Sequence, residues 1–147
     1  MVDSTLDPNC EFCKIIMGTA KAQVVCETDA TLAFFPLSPA VVGHTLVIPK
    51  VHVADLWSAN EALAAELMHA VLRVGKAIRS ALKPEGMNLI TSAGDAAFQT
   101  VYHLHLHLVP RWHNDRIGNI WPPKQKMAEE IKDEVAELIR TACRDQR

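Results

Sequence analysis

The sequence predicts an α+β fold in which about five short strands form an antiparallel sheet, one long helix covers the sheet and a second helix ends the chain. Three observations support this prediction. Histidines and leucines alternate from His103 to Leu108, apolar residues repeat at helical spacing from Leu63 to Leu82, and several strand-like segments follow one another closely. Short connections favour antiparallel neighbours, because parallel strands need long crossovers.

Five segments have the composition and the flanking residues of strands. They are Gln23 to Glu27, Thr31 to Phe35, Thr45 to Pro49, Met87 to Thr91 and Tyr102 to Arg111. In the last strand a period of two places His103, His105 and His107 on one face at intervals of about 6.7 Å. The same period turns Leu104, Leu106 and Leu108 toward a core.

Two helices follow from spacing and capping signals. The first is predicted to begin at the capping box from Ser58 to Glu61 and to end before Pro84. Its apolar stripe consists of Leu63, Leu67, Val71, Val74, Ile78 and Leu82. A second apolar edge, formed by Met68, Leu72 and Gly75, either widens the core stripe or lets another backbone come close. The last helix is expected over residues 125–144, with the stripe Met127, Ile131, Val135, Leu138 and Ala142.

Length and composition indicate one globular domain over residues 1–147. With a formal net charge of −2 and scattered basic residues, the chain has no basic stripe that would neutralise a DNA or RNA backbone. The sequence contains no run of eighteen apolar residues, and its first eight residues do not resemble a secretion leader. We therefore expect a cytoplasmic protein without a nucleic-acid polymer or a membrane as partner.

The three alternating histidines favour a chemical function over a solvated strand face. Imidazole titrates near neutral pH, so it serves as nucleophile, general acid or metal ligand. One metal ion cannot bind all three side chains, since His103 and His107 would lie about 13 Å apart on an extended strand. At most two neighbours share a metal, and the remaining histidine then has another task.

Cys10 and Cys13 form a Cys-x-x-Cys pair near the start of the chain. Four cysteines without a leader sequence indicate a reducing compartment rather than a disulfide framework. Such a pair then performs redox chemistry or binds a metal. Redox pairs usually follow a strand of a parallel unit, and no strand is predicted before Cys10. A structural zinc site is therefore the favoured interpretation.

Three segments resemble the motifs of the histidine triad (HIT) family of nucleotide hydrolases and transferases. They are Gly43 to Lys50 with the nearby His52, Gln99 to Tyr102, and the alternating His103 to Leu108. The resemblance covers residues 8–121. It implies the HIT-like fold, a nucleotide as the small-molecule partner and a homodimer in which two subunits share a continuous sheet.

The resemblance also implies roles for individual residues. His105 would attack the α-phosphorus of a nucleoside phosphoryl substrate, and His107, on the same face, is the best candidate to donate to the developing charge or to the leaving atom. His44, Gln99 and Thr100 would complete the phosphate pocket. Ser92 stands where nucleotide-binding members often have Asn, and it can donate a hydrogen bond.

Two further zinc ligands come from the same resemblance. Some bacterial members of the family supply one histidine after the Pro-Lys-x motif and the first histidine of the triad. In this chain those residues are His52 and His103, which would join Cys10 and Cys13 in a tetrahedral structural site. His103 would then turn toward zinc while His105 and His107 face the phosphate.

Two positions depart from the family pattern. Pro36 stands where many members have an acidic residue or Asn that holds the ribose hydroxyls, and Phe98 stands where Gly is frequent. A side chain as bulky as Phe98 is expected to narrow the pocket. Trp121 to Pro123 resembles the C-terminal Trp-Pro-Pro of the branch that acts on phosphoramidates.

The leading expectation is a hydrolase or transferase that cleaves nucleoside phosphoramidates or aminoacyl adenylates through a nucleotidyl-histidine intermediate. Dinucleoside polyphosphates are the second substrate class. Two rivals come from other classes: a protein that binds nucleotides without turnover, and a metallohydrolase in which the triad holds a catalytic metal.

Overall fold

A computed structural model describes residues 5–146. The first eight residues are expected not to form a secretion leader, and the first four of these eight lie outside the described residues. Five strands form one sheet: β1 (Val24–Glu27), β2 (Thr31–Phe34), β3 (Thr45–Pro49), β4 (Gly86–Ile90) and β5 (Leu106–Arg111). Their order is β1-β2-β3-β5-β4, and every neighbouring pair is antiparallel. The predicted α+β class and the five-stranded antiparallel sheet are confirmed.

The described residues form three helices: α1 (Glu11–Ile16), α2 (Glu61–Leu82) and α3 (Glu129–Asp145). Two short 3₁₀ turns, Leu56–Ser58 and Asp95–Ala97, occur in the connections. The sequence analysis did not predict α1, which is only six residues long. None of the described helices is both long and apolar enough to cross a membrane.

Helix α2 begins two residues later than the capping box predicts. The N-cap is Asn60, whose side-chain oxygen accepts a hydrogen bond from the Leu63 backbone N–H at 2.9 Å. Ser58 instead ends the preceding 3₁₀ turn, where Asp55 accepts from its backbone N–H at 3.0 Å. Asn is as good a helix cap as Ser, so composition alone did not distinguish the two positions.

The two faces of the sheet carry different side chains because successive residues of a strand point in opposite directions. One face packs against α2, and its buried strand residues are Ala33, Val47, Leu106 and Leu108. Leu104 joins this core, so the prediction for the three leucines is confirmed. The opposite face packs against Phe12 of α1 through Leu32, Phe34, Leu46 and Ile48.

Gly75 is buried in α2 beside the sheet. A Cβ atom built on it would lie 3.4 Å from Met87 Cε and 3.7 Å from Leu108 Cδ2, which are ordinary van der Waals distances. Side chains of the sheet therefore lie next to Gly75, and no contact among the described residues demands a glycine at this position.

Strand β5 is shorter than predicted. It begins at Leu106 rather than at Tyr102, so His103 and His105 precede the strand and only His107 lies on it. The Leu104 backbone N–H donates to the Val53 carbonyl at 2.7 Å, outside the sheet ladder. The prediction that all three histidines lie on the strand is therefore wrong.

The chain divides after Ile117 into two compact units, and the second begins at Gly118. The second unit contains α3, predicted over residues 125–144 and found at Glu129–Asp145. The apolar residues of its stripe are exposed: Ile131, Val135 and Leu138. An ion pair links Arg140 to Glu137 within the helix at 3.1 Å.

Candidate functional site

Two groups of side chains lie at the start of β5. We call His44, His105 and His107 the histidine cluster; the ring centroids of His105 and His107 are 4.9 Å apart, and those of His44 and His107 are 5.2 Å apart. We call Cys10, Cys13, His52 and His103 the thiol–imidazole cluster; one ligand atom from each lies within 4.8 Å of all the others. The triad is thus split between the two clusters.

A hydrogen bond between His105 and the backbone of His103 determines which nitrogen of the His105 ring carries hydrogen. The Nδ1 atom lies 2.7 Å from the backbone carbonyl oxygen of His103. A carbonyl oxygen can only accept, so Nδ1 is the donor. In a neutral imidazole the other nitrogen, Nε2, then holds an unprotonated lone pair, which is the form that a nucleophile needs.

The same reasoning determines the tautomer of His44 and then that of His107. The backbone N–H of Ala40 donates to His44 Nδ1 at 3.0 Å, so the hydrogen of neutral His44 is on Nε2. His44 Nε2 lies 2.9 Å from His107 Nδ1 and donates to it. His107 then carries its own hydrogen on Nε2. The cluster therefore offers one lone pair, on His105, and one N–H donor, on His107.

Burial keeps these imidazoles neutral. It lowers the pKa of His44, and it lowers the pKa of His105 although the bond to the His103 carbonyl acts in the opposite direction. The pKa of His107 falls to about 4, chiefly because of burial and further because His105 and His44 are close. Desolvation penalises the charged form of a base, and that cause dominates at all three positions.

A cavity of about 400 Å³ opens beside the histidine cluster on the α1 face of the sheet. His107 pairs with Leu46 across β3, and Leu46 pairs with Phe34 across β2; all three line the cavity. Strands are about 4.8 Å apart, so this row extends roughly 10 Å from His107. The cavity is long enough for an organic group attached to a phosphoryl group at the imidazoles.

The wall of the cavity is mostly apolar. Its polar side chains are few and include His105, Thr100, Lys14 and Lys21, and Pro36 is one of its apolar members. Pro36 brings no carboxylate or amide to this wall, so the departure seen in the sequence lies on the cavity itself.

The other sequence-predicted residues lie outside this wall. Gln99 is buried, and its amide is used within the chain: Nε2 donates to the carbonyls of Ala54 and Val101, while Oε1 accepts from the Gly94 N–H. Ser92 lies in the segment after β4 and is half-buried. Among the described residues, neither side chain is part of the cavity lining.

Phe98 does not narrow the cavity. Its side chain is 89 % exposed and points away from the interior, and its backbone is left-handed with φ of 64°. That conformation favours Gly, because it brings Cβ close to the following carbonyl oxygen. The expectation of a narrowed pocket is therefore wrong; the position is set by backbone conformation.

Three further residues support the histidine cluster, and sequence reasoning missed them. The Thr91 hydroxyl donates to the His105 carbonyl at 2.9 Å, and the Ala40 backbone orients His44. Phe12 packs edge-on against His105 with a centroid distance of 5.2 Å. Phe12 sits between the two cysteines of the Cys-x-x-Cys pair, and that position was its only signal in the sequence.

The thiol–imidazole cluster has the shape of a tetrahedral metal site. His103 Nδ1 lies 3.5 Å from Cys10 Sγ and 3.4 Å from Cys13 Sγ, and His52 Nδ1 lies 3.4 Å from Cys13 Sγ. Sulfur and nitrogen ligands of one tetrahedral zinc ion are about 3.6 Å apart, given zinc distances of about 2.3 and 2.0–2.1 Å. Two sulfurs and two imidazoles are also a donor set that zinc prefers.

The protonation of the cluster fits a cation as well. His103 Nε2 donates to the Pro49 carbonyl at 3.0 Å, which leaves the Nδ1 lone pair directed at the sulfurs. Burial raises the pKa of the Cys13 thiol to about 11 and lowers the pKa of His103 to about 4. A divalent cation would favour the thiolate and the neutral imidazole. Only one histidine of the triad belongs to this cluster, which is within the limit of two neighbours that strand geometry allows.

Comparisons with known proteins identify the family. The sequence model of the HIT domain matches residues 17–114, and the chain belongs to this family. It is 40% identical over 114 residues to "Protein hit" of Bacillus subtilis, covering 77% of this chain and 79% of that protein. It is 36% identical over 125 residues to adenosine 5′-monophosphoramidase hnt1 of Schizosaccharomyces pombe, covering 84% and 91%.

Solved structures agree with the fold. SMU.412c from Streptococcus mutans superposes with a TM-score of 0.90 at 34% identity, covering 95% of this chain and 88% of that one. A zinc-bound histidine triad family protein from Mycobacterium smegmatis superposes with a TM-score of 0.71 at 38% identity, covering 79% and 84%.

The neutral, buried state of His107 predicts a pH-dependent stability. Its pKa is about 4 in the folded protein against an ordinary value of 6.5, so between these values the unfolded chain binds more protons. The free energy of unfolding should therefore be highest above pH 6.5 and should fall, by about 1 kcal/mol or more, as the pH drops toward 4. Denaturant unfolding at a series of pH values measures this.

His107→Asn is the matched variant, because it removes this titration and leaves the other histidines in place. The variant should lose less stability than the wild type over the same pH interval. Identical pH dependence in the two proteins would show that His107 contributes nothing to it.

Proposed function

We propose that this protein is a nucleotide hydrolase or transferase that cleaves nucleoside phosphoramidates or related nucleoside 5′-phosphoryl substrates. One observation carries the proposal: the hydrogen bonds leave a lone pair on His105 Nε2 and a hydrogen on His107 Nε2, beside a cavity that both residues line. A nucleophile and a hydrogen-bond donor on one side of a cavity suit phosphoryl transfer.

In the first step His105 Nε2 attacks the α-phosphorus. A P–N bond forms, the bond from phosphorus to the leaving group breaks, and the leaving group departs with the electron pair and takes up a proton from solvent. The His105 ring gains positive charge, and the Nδ1–H···O=C bond to His103 becomes stronger as that charge develops. Water then attacks phosphorus and loses one proton to solvent, the P–N bond breaks with its electron pair returning to His105 Nε2, and the nucleoside monophosphate and neutral His105 are released.

His107 stabilises the negative charge that develops on the substrate. A phosphoryl group in transfer spreads negative charge over its oxygens, and donors placed in advance stabilise it. The Nε2–H of His107 supplies such a donor, either to these oxygens or to the leaving atom. His44 keeps that hydrogen on Nε2 by donating to Nδ1, so it acts by positioning His107.

The remaining predicted residues take different parts in the proposed site. Thr100 is on the cavity wall and can donate its hydroxyl to the phosphate. The Gln99 amide holds the loop from Gly94 to Val101 in place through three hydrogen bonds. Ser92 stays a predicted nucleotide contact that would require movement of its segment.

The substrate class rests on the family and on the cavity. The hnt1 relative is named an adenosine 5′-monophosphoramidase, which favours a phosphoramidate as the first substrate to test. A dinucleoside polyphosphate is the second candidate. A binding role without turnover is the rival that Pro36 favours, since this wall residue cannot accept hydrogen bonds from ribose hydroxyls through its side chain.

His105→Asn should abolish release of adenosine monophosphate from adenosine 5′-phosphoramidate and from diadenosine tetraphosphate. The amide cannot replace the Nε2 lone pair, so we expect a loss of at least about a thousandfold in kcat. Chromatographic measurement of adenosine monophosphate, with circular dichroism of both proteins, checks the effect and the fold.

His69→Asn is the matched control, because His69 is an exposed histidine of α2 away from the cavity. Turnover by His105→Asn at the rate of the wild type would remove His105 as the nucleophile. Tight binding of adenosine monophosphate by a wild type that releases none from either substrate would favour the binding role.

The thiol–imidazole cluster is proposed to hold a structural zinc ion. The donor set, the interatomic distances and the zinc-bound relative from Mycobacterium smegmatis support this proposal. When bound, zinc would link α1 to the segment before β5 and add to the stability of the fold. Free thiols at all four cysteines are in keeping with a cytoplasmic protein.

Cys13→Ala should lower both zinc content and thermal stability. Loss of a buried thiolate ligand removes binding free energy that is also folding free energy, so we expect a Tm lower by roughly 10 °C or more. Atomic absorption and calorimetry measure the two effects. Cys143→Ala, which changes an exposed cysteine of α3, is the control and should retain both. Unchanged zinc content in Cys13→Ala would contradict the proposal.

A homodimer is proposed through the edge of the sheet at β4. Among the described strands, β4 pairs only with β5, so its other edge is available. Two exposed apolar side chains, Leu72 of α2 and Leu89 of β4, lie together beside it, and Met68 of α2 is exposed one turn before Leu72. An unpaired edge flanked by apolar side chains is a ready surface for pairing with a second copy.

Leu72→Glu should convert this dimer to a monomer, because it places a charge in a desolvated apolar interface. Light scattering after size exclusion measures the mass. Val42→Glu, which changes an exposed apolar residue in the loop between β2 and β3, should stay dimeric. A monomeric wild type, or a dimeric Leu72→Glu protein, would overturn this interface.

A further inference from the structure

We propose that Phe12 is a positioning residue for His105, and that metal in the thiol–imidazole cluster controls the phosphoryl site through Phe12 and the backbone of His103. The kinetic part of this inference rests on the proposed function. The structural part concerns only how one cluster holds the imidazole of the other.

Phe12 occupies a central position between the two clusters. Its flanking cysteines, Cys10 and Cys13, belong to the thiol–imidazole cluster. Its ring packs edge-on against His103 at a centroid distance of 5.9 Å and against His105 at 5.2 Å, with interplanar angles of 70° and 85°. A buried aromatic edge on each imidazole restricts rotation of both rings.

His103 makes the second connection. Its Nδ1 faces the two sulfurs, while its backbone carbonyl accepts the hydrogen bond from His105 Nδ1 at 2.7 Å. A shift of His103 therefore displaces the acceptor that fixes the tautomer of His105. The two routes, through the Phe12 ring and through the His103 backbone, converge on the same imidazole.

Helix α1 is held in place by tertiary contacts. It spans six residues, and its N-cap residue, Cys10, makes no side-chain capping bond. A helix of this length is not stable by itself in water. Its position depends on the packing of Phe12 against Phe34, at 5.4 Å, on the packing of Ile15 and Ile16 against the same apolar cluster, and on the contacts of the two cysteines.

The same helix forms one wall of the cavity. Glu11, Phe12, Lys14 and Ile15 all line it. If α1 moved away from the sheet, the cavity would widen and the His105 ring would lose the contact that restricts its rotation. Metal binding at the cysteines is therefore expected to affect both the orientation of the nucleophile and the affinity for a nucleotide.

The first test reads the His105 ring directly and needs no turnover. Nitrogen-15 labelled histidine gives separate NMR signals for the Nδ1–H and Nε2–H tautomers, and comparison with His105→Asn assigns the His105 signals. Zinc-loaded wild type should show the Nδ1–H form. Wild type after removal of zinc with a chelator, and zinc-loaded Phe12→Leu, should both show a mixture of tautomers.

The second test separates positioning from simple loss of a cavity wall. If Phe12 only lines the cavity, Phe12→Leu raises KM for the phosphoramidate and leaves kcat unchanged. If it positions His105, kcat falls by at least about tenfold, because small displacements of a reacting group are costly. Phe12→Tyr, which keeps the ring edge, should recover most of kcat.

Leu32→Ala controls for stability. Leu32 is buried in the same core as Phe12 but is not on the cavity wall, so this variant destabilises the α1 face without touching His105. It should retain the Nδ1–H tautomer and the kcat of the wild type. If Leu32→Ala reproduces the effects of Phe12→Leu, the effects come from general destabilisation and the inference fails.

The outcomes distinguish this inference from the proposed function. An unchanged His105 spectrum after zinc removal and in Phe12→Leu overturns the coupling, whatever the catalytic activity. A mixture of tautomers in both samples supports it, even if neither substrate is turned over. Calorimetric affinity for adenosine monophosphate, expected to weaken on zinc removal, gives a second readout that does not depend on catalysis.

Discussion

The hydrogen bond from His105 Nδ1 to the His103 carbonyl is the interaction on which the rest of the site depends. At 2.7 Å it is short, and it lies within a single turn of chain, so two adjacent peptide units determine it. Without it the hydrogen could reside on either nitrogen, so only part of the neutral molecules would present an Nε2 lone pair to the cavity. The bond needs a carbonyl turned toward the ring, and a regular strand would have given that carbonyl to the ladder. The start of β5 at Leu106 therefore leaves the His103 carbonyl available to the His105 ring.

Burial and hydrogen bonding act together in the histidine cluster. Desolvation lowers the pKa of all three imidazoles, so none needs to lose a proton before it acts at neutral pH. The hydrogen bonds then decide where the single hydrogen of each ring lies. Backbone groups fix both tautomers, because the Ala40 N–H donates to His44 and the His103 carbonyl accepts from His105. Because backbone groups do not titrate, this arrangement is stable over the whole pH range in which the rings are neutral.

Sequence reasoning predicted the parts of the fold that depend on periodicity. The alternation around His105 assigned the leucines to the α2 core, and the stripe from Leu67 to Ile78 located α2. It did not find α1, since six residues are too few for a periodic pattern. It placed the helix cap at Ser58 rather than Asn60, because both residues cap helices well.

The site was harder to predict where backbone geometry determines the orientation of a side chain. Periodicity placed His103 and His105 on a strand, but their rings are oriented by carbonyl oxygens that no residue type encodes. Phe98 illustrates the same limit: its size indicated a narrower pocket, whereas its left-handed backbone turns the ring to solvent. The residues that share a cluster could be inferred from motifs, while tautomers and ring contacts required coordinates.

The division of the sheet into two faces explains how one short segment can serve both stability and chemistry. Leu106 and Leu108 pack β5 against α2. Leu106 pairs with Val47 and Leu108 with Thr45, and these pairs define the register of β5 with β3. His107 is held on the other face by the same pairs. A slip of one residue would exchange the faces, placing imidazoles in the apolar core and leucines in the cavity. Burial of the leucines therefore opposes any register in which the histidines are misplaced, and the apolar core under α2 keeps His107 on the face of the sheet where the cavity beside α1 lies.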